Sequence, residues 1–406
     1  MPTGRRHYSF ALLAYSFAAI MVGTTMPAPM YALYSDHLHF TVATTTVIFA
    51  IYAGGVLLAL LVFGSWSDAI GRRPVLLAGA LCALASGAVF LVADSVPLLL
   101  IGRLLSGLSA GLFTGTGTAA IIEAAPATWR QRAPAVATVA NIGGLGAGPI
   151  LAGILVQYAP EPLRLSFMIH IVLVVLATAA VLVVPETSRR AGRPHLQRLS
   201  VSEQVRPVFI TAALAGFAGF AVTGLFTSIA PSFLAEVIGI DNHALAGLTA
   251  GSIFVASAIA QIGAARVPPL RAVAVGCAVL IAGMALLALA LWASSLAGLI
   301  AAAVVSGAGQ GISFSRGLAA VVDRAPDDRR AEVSSTYFVV AYIAVALPVI
   351  GAGFAAQSWG LRTTGIAFAL AIAVLAAAAL AATLRQKSLG HGREVTARTT
   401  RRRPPR

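Results

Sequence analysis

Charge is what this 406-residue chain most lacks: Asp, Glu, Lys and Arg make up only 10% of it, and only 14 residues are acidic. A soluble domain carries about 25% charged residues, so this composition cannot build a water-facing surface. Hydrophobic residues reach 58%, which excludes intrinsic disorder as well. Cysteine is almost absent. Cys82 and Cys277 both fall in apolar segments, so neither a disulfide framework nor a zinc-type spacing is present. A clean small-residue cleavage site is also missing after the first apolar stretch, which therefore reads as a retained span.

What the chain has is a series of apolar runs of about 20 residues or more, the length that crosses a bilayer as a helix. Turn and charge signals bracket twelve: 9–33, 43–65, 74–93, 97–121, 134–158, 163–185, 207–234, 244–265, 271–292, 296–320, 333–356 and 362–384. Pro74, Pro97, Pro134 and Pro207 sit at span starts, where the missing N–H costs nothing. The expected fold is an all-α membrane protein without a soluble domain.

The net charge of +14 would suggest a nucleic-acid partner in a soluble protein. Its distribution argues otherwise. With the N-terminus in the cytoplasm, 24 of the 28 basic residues fall on the cytoplasmic side, including Arg189, Arg193, Arg402, Arg403 and Arg406. Arg164 and Arg362 alone fall in outer loops, and Arg103 and Arg316 lie within spans. This is the positive-inside pattern, and the lipid bilayer is the expected partner. Residues 186–206 read as a basic cytoplasmic linker and 385–406 as a disordered basic tail. A single lysine among the basic residues and abundant alanine suggest a GC-rich bacterial gene and a plasma (inner) membrane location.

The two sides of that linker repeat each other. At a shift of 200, Ser106, Gly107, Gly111 and Gly117 fall on Ser306, Gly307, Gly311 and Gly317, and Pro126 and Arg130 fall on Pro326 and Arg330. Ala28-Pro29 in the first span answers Ala230-Pro231 in the seventh. The expected domains are six-helix halves at 1–185 and 207–384. Halves so related provide alternating access to a site between them. Gly107/Gly111, Gly307/Gly311 and Gly144/Gly148 form G-x-x-x-G pairs, which let helices approach closely in lipid.

Between the second and third spans stands Gly64-Ser-Trp-Ser-Asp68-Ala-Ile-Gly71-Arg72-Arg73. It closely resembles the G-x-x-x-D-x-x-G-R-[KR] loop of the major facilitator superfamily. The resemblance covers residues 9–384 and implies a conformational latch at Gly64, Asp68, Gly71, Arg72 and Arg73. The corresponding loop of the second half, Gly263 to Arg271, keeps Arg266 and Arg271 but loses the aspartate. Arg103-Leu-Leu-Ser-Gly107 looks like the family's fourth-helix R-x-x-x-G motif. An arginine at that depth is costly and by default functional; a structural arginine snorkelling outward or bonding backbone carbonyls is the alternative. Asn141 to Gly153 in the fifth span resembles the glycine–proline stretch of proton antiporters. Gly144, Gly148, Pro149 and Gly153 match it, while Ala135 and Ala152 stand where the family has glycine.

Coupling is less legible. All 14 acidic residues lie in loops or at span ends, with Glu123 and Asp323 nearest the membrane. The deep first-span carboxylate of many proton-coupled exporters is missing. Arg103, His170 and Glu123 are the coupling candidates, although a packing histidine bonded to a carbonyl is the favoured reading of His170. By resemblance, spans one, four, seven and ten line the central cavity. Their candidate lining residues are Thr24, Thr25, Tyr31, Phe113, Thr116, Thr223, Phe226, Thr227, Gln310 and Ser313. Hydroxyls and rings without fixed charge suit a mostly apolar or weakly polar substrate.

Two chemical signals fail on context. Gly107-Leu-Ser109-Ala-Gly111 fits a hydrolase elbow but lies inside a membrane helix rather than at a strand–helix turn. Asp36-His37-Leu-His39 has no second ligand cluster to complete a metal site. Neither enzyme activity, a cofactor, a metal nor a nucleic-acid partner is expected. The resulting expectation is a monomeric secondary transporter, exporting a drug-like molecule or metabolite against a proton gradient. Uptake of a sugar or organic acid is the alternative.

Overall fold

The computed structural model describes residues 3–188, 190 and 194–401; Arg189, Arg193, Arg402, Arg403 and Arg406 therefore lie outside the described residues. The described residues form helices and no strands, and twelve helices are long and apolar enough to span a membrane. We number them α1 (Arg6–Leu38), α2 (Val42–Phe63), α3 (Arg72–Leu91), α4 (Val96–Ala124), α5 (Ala133–Tyr158) and α6 (Leu165–Val183). The second six are α7 (Arg206–Ser228), α8 (His243–Gly263), α9 (Pro269–Trp292), α10 (Leu296–Val322), α11 (Arg330–Trp359) and α12 (Leu361–Gln386). All twelve expected spans are present.

Two local departures have the same cause. α1 breaks after Thr25 and resumes at Tyr31 through a tight turn at Ala28–Met30. α7 ends at Ser228 and continues through Ala230–Ser232 into a π turn at Phe233–Ile238. Proline within each stretch removes an amide donor and crowds the preceding turn, so the repeated Ala-Pro pairs give repeated breaks. A third irregularity, a π turn at Val139–Gly143, lies in α5.

The last helix extends from Leu361 to Arg401, past the end of its apolar span. Beyond Leu361, proline appears only at 404 and 405.

Within each half the small residues set the packing. A Cβ on Gly107 or Gly111 of α4 would come within 2.2 Å of the Tyr52 carbonyl or 2.5 Å of Ala59 Cβ on α2. The counterparts Gly307 and Gly311 of α10 meet the Ile253 and Ser257 carbonyls of α8 at 2.2 and 2.4 Å. Each contact forbids a side chain and brings two backbones together, which is how helices associate where water supplies no hydrophobic drive. The repeat seen in sequence is thus a repeat of helix contacts. Between the halves, α5 packs on α8 and α2 on α11. Leu145 of α5 and Tyr342 of α11 join the apolar cores of both halves.

Candidate functional site

Polar groups gather at three depths: the basic end that carries the linker, the middle of the spans, and the far end.

At the basic end the loop between α2 and α3 folds around Arg72. Its guanidinium meets Asp68 at 2.6 Å and Glu123 of α4 at 2.9 Å, and it donates to Ser67 at 2.7 Å. Thr187 donates to the other Glu123 oxygen at 2.8 Å. Glu123, expected as a coupling candidate, thus pairs with Arg72 and Thr187. Gly71 has φ +112°, a region that L side chains avoid, and its Cβ would fall 2.4 Å from Glu186. Gly64, at the end of α2, would meet the Leu60 carbonyl at the same distance. Arg73 donates to the Leu182 carbonyl of α6.

Glu186 is the residue that sequence reasoning missed. Its carboxylate accepts the Arg72 and Arg73 N–H groups, at 2.8 and 3.2 Å, where α3 starts with unpaired donors. It also accepts the Thr187 and Ser188 N–H groups at 3.0 Å each. Burial alone would raise its pKa. The four donated N–H bonds outweigh burial and hold it below the ordinary carboxylate value. The signal available in the sequence was Pro185-Glu186-Thr187, three residues directly after an apolar span. The partners of Asp68, Arg72, Glu123 and Glu186 all lie in the first half or the linker. The linker then crosses the molecule: Gln197 N–H donates to the Leu61 carbonyl, and Ser200 N–H to Thr336 of α11.

At mid-depth Arg103 is 1% exposed. It donates to the Thr24 carbonyl at 2.6 Å and lies 4.6 Å from the centre of the Tyr52 ring, while its Nε has no partner. It faces inward, and among the described residues no ion pair forms at its guanidinium. His170 is 5% exposed. Its Nε2 lies 3.2 Å from the Ala19 carbonyl, and a Cβ on Gly23 would collide with its ring. Thr24, Ser106, Ser109 and His170 enclose a small cavity beside them.

The expected cavity residues divide. Thr24, Thr223 and Thr227 return their hydroxyls to carbonyls three or four residues back on their own helices. Thr25 donates across to the Leu145 carbonyl of α5 at 2.7 Å. Thr116 is buried. Phe113 packs against Gly79 and Phe17, Ser313 against Gly276, and Phe226 in the core of the second half. Glycine on the facing helix makes room for each of the first two, so they serve packing within a half. Gln310 accepts from Ser257 at 2.7 Å. Tyr31 is buried and borders a far-end cavity. Phe220, Phe314, Tyr337, Phe338 and Tyr342 form an aromatic group, in which Phe220 and Phe314 meet edge to face at 4.7 Å. Much of this group comes from α11, which the resemblance did not assign to the lining.

In α5, Gly144 and Gly148 pack against Ala18, Met21 and Val22 of α1. Asn141 lies in the π turn. Pro149 and Gly153 face the other half: a Cβ on Gly247 of α8 would stand 2.1 Å from the Pro149 carbonyl and 3.0 Å from Gly153 Cα. Above this contact is a cavity of about 340 Å³ bordered by Asp36, Thr45, Ser232, Glu236, Asp241 and His243. Partial burial and the Asp36 carboxylate raise the pKa of Glu236.

This combination of twelve spanning helices, duplicated helix contacts and a basic-end loop cluster defines a polytopic membrane protein of the two-half kind. The sequence profile of the Major Facilitator Superfamily matches residues 11–347, and the chain belongs to that family. It is 27% identical to the uncharacterized MFS-type transporter YtbD of Bacillus subtilis (strain 168), over 59% of this chain and 61% of that protein. It is 26% identical to the multidrug resistance protein MdtM of Salmonella typhimurium, over 59% of this chain and 58% of that protein. A 107-residue stretch, 26% of each chain, is 34% identical to the class E tetracycline resistance protein of Escherichia coli. The chain thus spans about three-fifths of the length of the first two relatives. The fold matches the crystal structure of the human organic anion transporter MFSD10 (TETRAN) with a TM-score of 0.66 and 17% identity, covering 94% of this chain and all of that one. Family membership and twelve spanning helices make this an integral membrane protein.

Proposed function

We propose that this transporter exports a small organic molecule, a drug or metabolite, in exchange for protons across a bacterial plasma membrane. The basic end and both termini face the cytoplasm in this reading, and the protein works as a monomer. One observation carries the export direction: the antiporter-like stretch of α5 spans both kinds of contact. Gly144 and Gly148 fix it to α1 of its own half, while Pro149 and Gly153 meet α8 of the other half. A helix so placed couples movement within one half to the seal between the two. The names of two relatives, a multidrug resistance protein and a tetracycline resistance protein, agree with efflux.

The loop cluster around Arg72 acts as the conformational latch, with Glu186 anchoring the start of α3. Arg103 is the coupling residue, a buried cation whose environment changes as the halves rock. Inside-out vesicles carrying a preformed proton gradient and a pH-sensitive dye test the proposal. Lipophilic drugs, then sugars and organic acids, are added singly. A compound-dependent proton leak absent from empty vesicles is the expected result. Silence there, together with isotope uptake by intact cells, would overturn export in favour of import.

A further inference from the structure

The far-end seal is built twice from one short pattern. Gly153-Ile-Leu-Val-Gln157 closes α5, and Gly353-Phe-Ala-Ala-Gln357 closes α11, 200 residues later. Both stretches face the opposite half. A Cβ on Gly153 would stand 2.4 Å from the His243 carbonyl at the start of α8, and one on Gly353 would stand 2.3 Å from Thr46 Oγ1 near the start of α2. One helical turn beyond each glycine, the glutamine reaches across. Gln157 Oε1 accepts the His243 N–H at 2.7 Å, and Gln357 Nε2 donates to Thr41 Oγ1 at 3.0 Å.

Both targets are helix N-termini whose own capping leaves them available. Asn242 caps α8 by accepting the Leu245 N–H, so the His243 N–H is an orphan donor that Gln157 satisfies. Thr41 precedes α2 but makes no side-chain cap, and its hydroxyl goes to Gln357 instead. The amide group serves both purposes because it carries an acceptor and a donor.

We infer that Gln157 and Gln357 are paired latches that hold the far end of the transporter shut and must release for that end to open. The glycine in each pattern brings the backbones close enough for the next-turn glutamine to span the interface. The inference rests on the alternating-access reading but on neither the direction nor the substrate of transport. Gln157 is half-buried and Gln357 exposed, so the first latch is the stronger. Losing one such bond shifts the closed-to-open ratio about five-fold.

The test uses full-length protein in lipid nanodiscs, with Cys82 and Cys277 replaced by serine. Spin labels are placed at Asp94→Cys and Ala293→Cys, in the far-end loops of the two halves. Pulsed dipolar spectroscopy then gives the distribution of far-end distances. Gln157→Leu is expected to move population to longer distances by about five-fold and Gln357→Ala by less. Gln157→Glu is expected to keep the closed distribution, because a carboxylate still accepts the His243 N–H and is favoured at a helix N-terminus. A Gln157→Leu distribution identical to that of the parent, in protein of normal thermal stability, overturns the latch. So does Gln157→Glu opening as far as Gln157→Leu. Vesicle proton exchange measured on the parent separates the two failures: exchange with no latch effect overturns this inference alone.

Discussion

Pro149 has no N–H, so the carbonyl of Leu145, four residues earlier, lacks its helical partner. Thr25 of α1 supplies the missing donor at 2.7 Å. Thr25→Val keeps the shape of the side chain and removes that donor. The orphaned carbonyl costs about 1–3 kcal/mol. Other contacts contribute to any single-variant loss, since Thr25 Oγ1 also stands 2.6 Å from where a Gly148 Cβ would lie. The decisive quantity is therefore the coupling between Thr25 and Pro149. In Pro149→Ala the new N–H can return the helical bond to the Leu145 carbonyl, and Thr25→Val is then less damaging. We expect a coupling energy of about 1 kcal/mol from unfolding of the parent, both single variants and the double variant in mixed micelles titrated with dodecyl sulfate. Additivity within about 0.3–0.5 kcal/mol would refute the claim that Thr25 satisfies the break made by Pro149.

Other outcomes follow from the remaining contacts. Arg103→Ala should lower coupled flux by about tenfold or more while membrane insertion stays normal, because a charge-assisted bond is lost inside the first half; unchanged flux would remove Arg103 from the mechanism. Gly247→Ala would set a Cβ 2.1 Å from the Pro149 carbonyl, and overpacking of about 1–3 kcal/mol should favour the opened far end. Labelling of Thr45→Cys by a membrane-impermeant thiol reagent should then accelerate, and an unchanged rate would show that this approach does not govern closure. The depressed pKa of Glu186 gives its anchoring a definite pH sense. The stabilisation is complete above the ordinary carboxylate pKa and is lost as pH falls through the lower folded value. Protease cleavage around residues 186–190 should rise only under that acid condition, whereas Glu186→Gln should cleave readily at neutral pH.

The spans were legible because bilayer thickness imposes a length and a composition that twelve segments satisfy. The close helix contacts were legible because glycine at positions 107, 111, 307 and 311 marks where backbones meet. Cavity residues were harder to place. A membrane helix is apolar toward lipid and toward its neighbours alike, so periodicity does not say which of Phe113, Phe226 or Ser313 faces a substrate and which faces a glycine. Pro185-Glu186-Thr187 was too short a pattern to single out Glu186, because a carboxylate that binds backbone N–H groups needs no partner side chain and leaves no pairing in the sequence. Gln157 and Gln357 did leave a signal, since they stand in the same 200-residue register as Gly107 and Gly307.

That register also separates what was duplicated from what was not. The glycine contacts and the glutamine bonds occur in both halves, whereas Arg103 answers to Ala303 and the Asp68 loop to a degenerate one. Closing a cleft between two bodies requires contacts on both flanks, and a single flank would leave a hinge rather than a seal. A buried cation is different: each copy adds its own desolvation cost, and one is enough to register a change in its surroundings. Symmetric seals around an asymmetric charge are therefore what alternating access asks of two copies of one helix bundle.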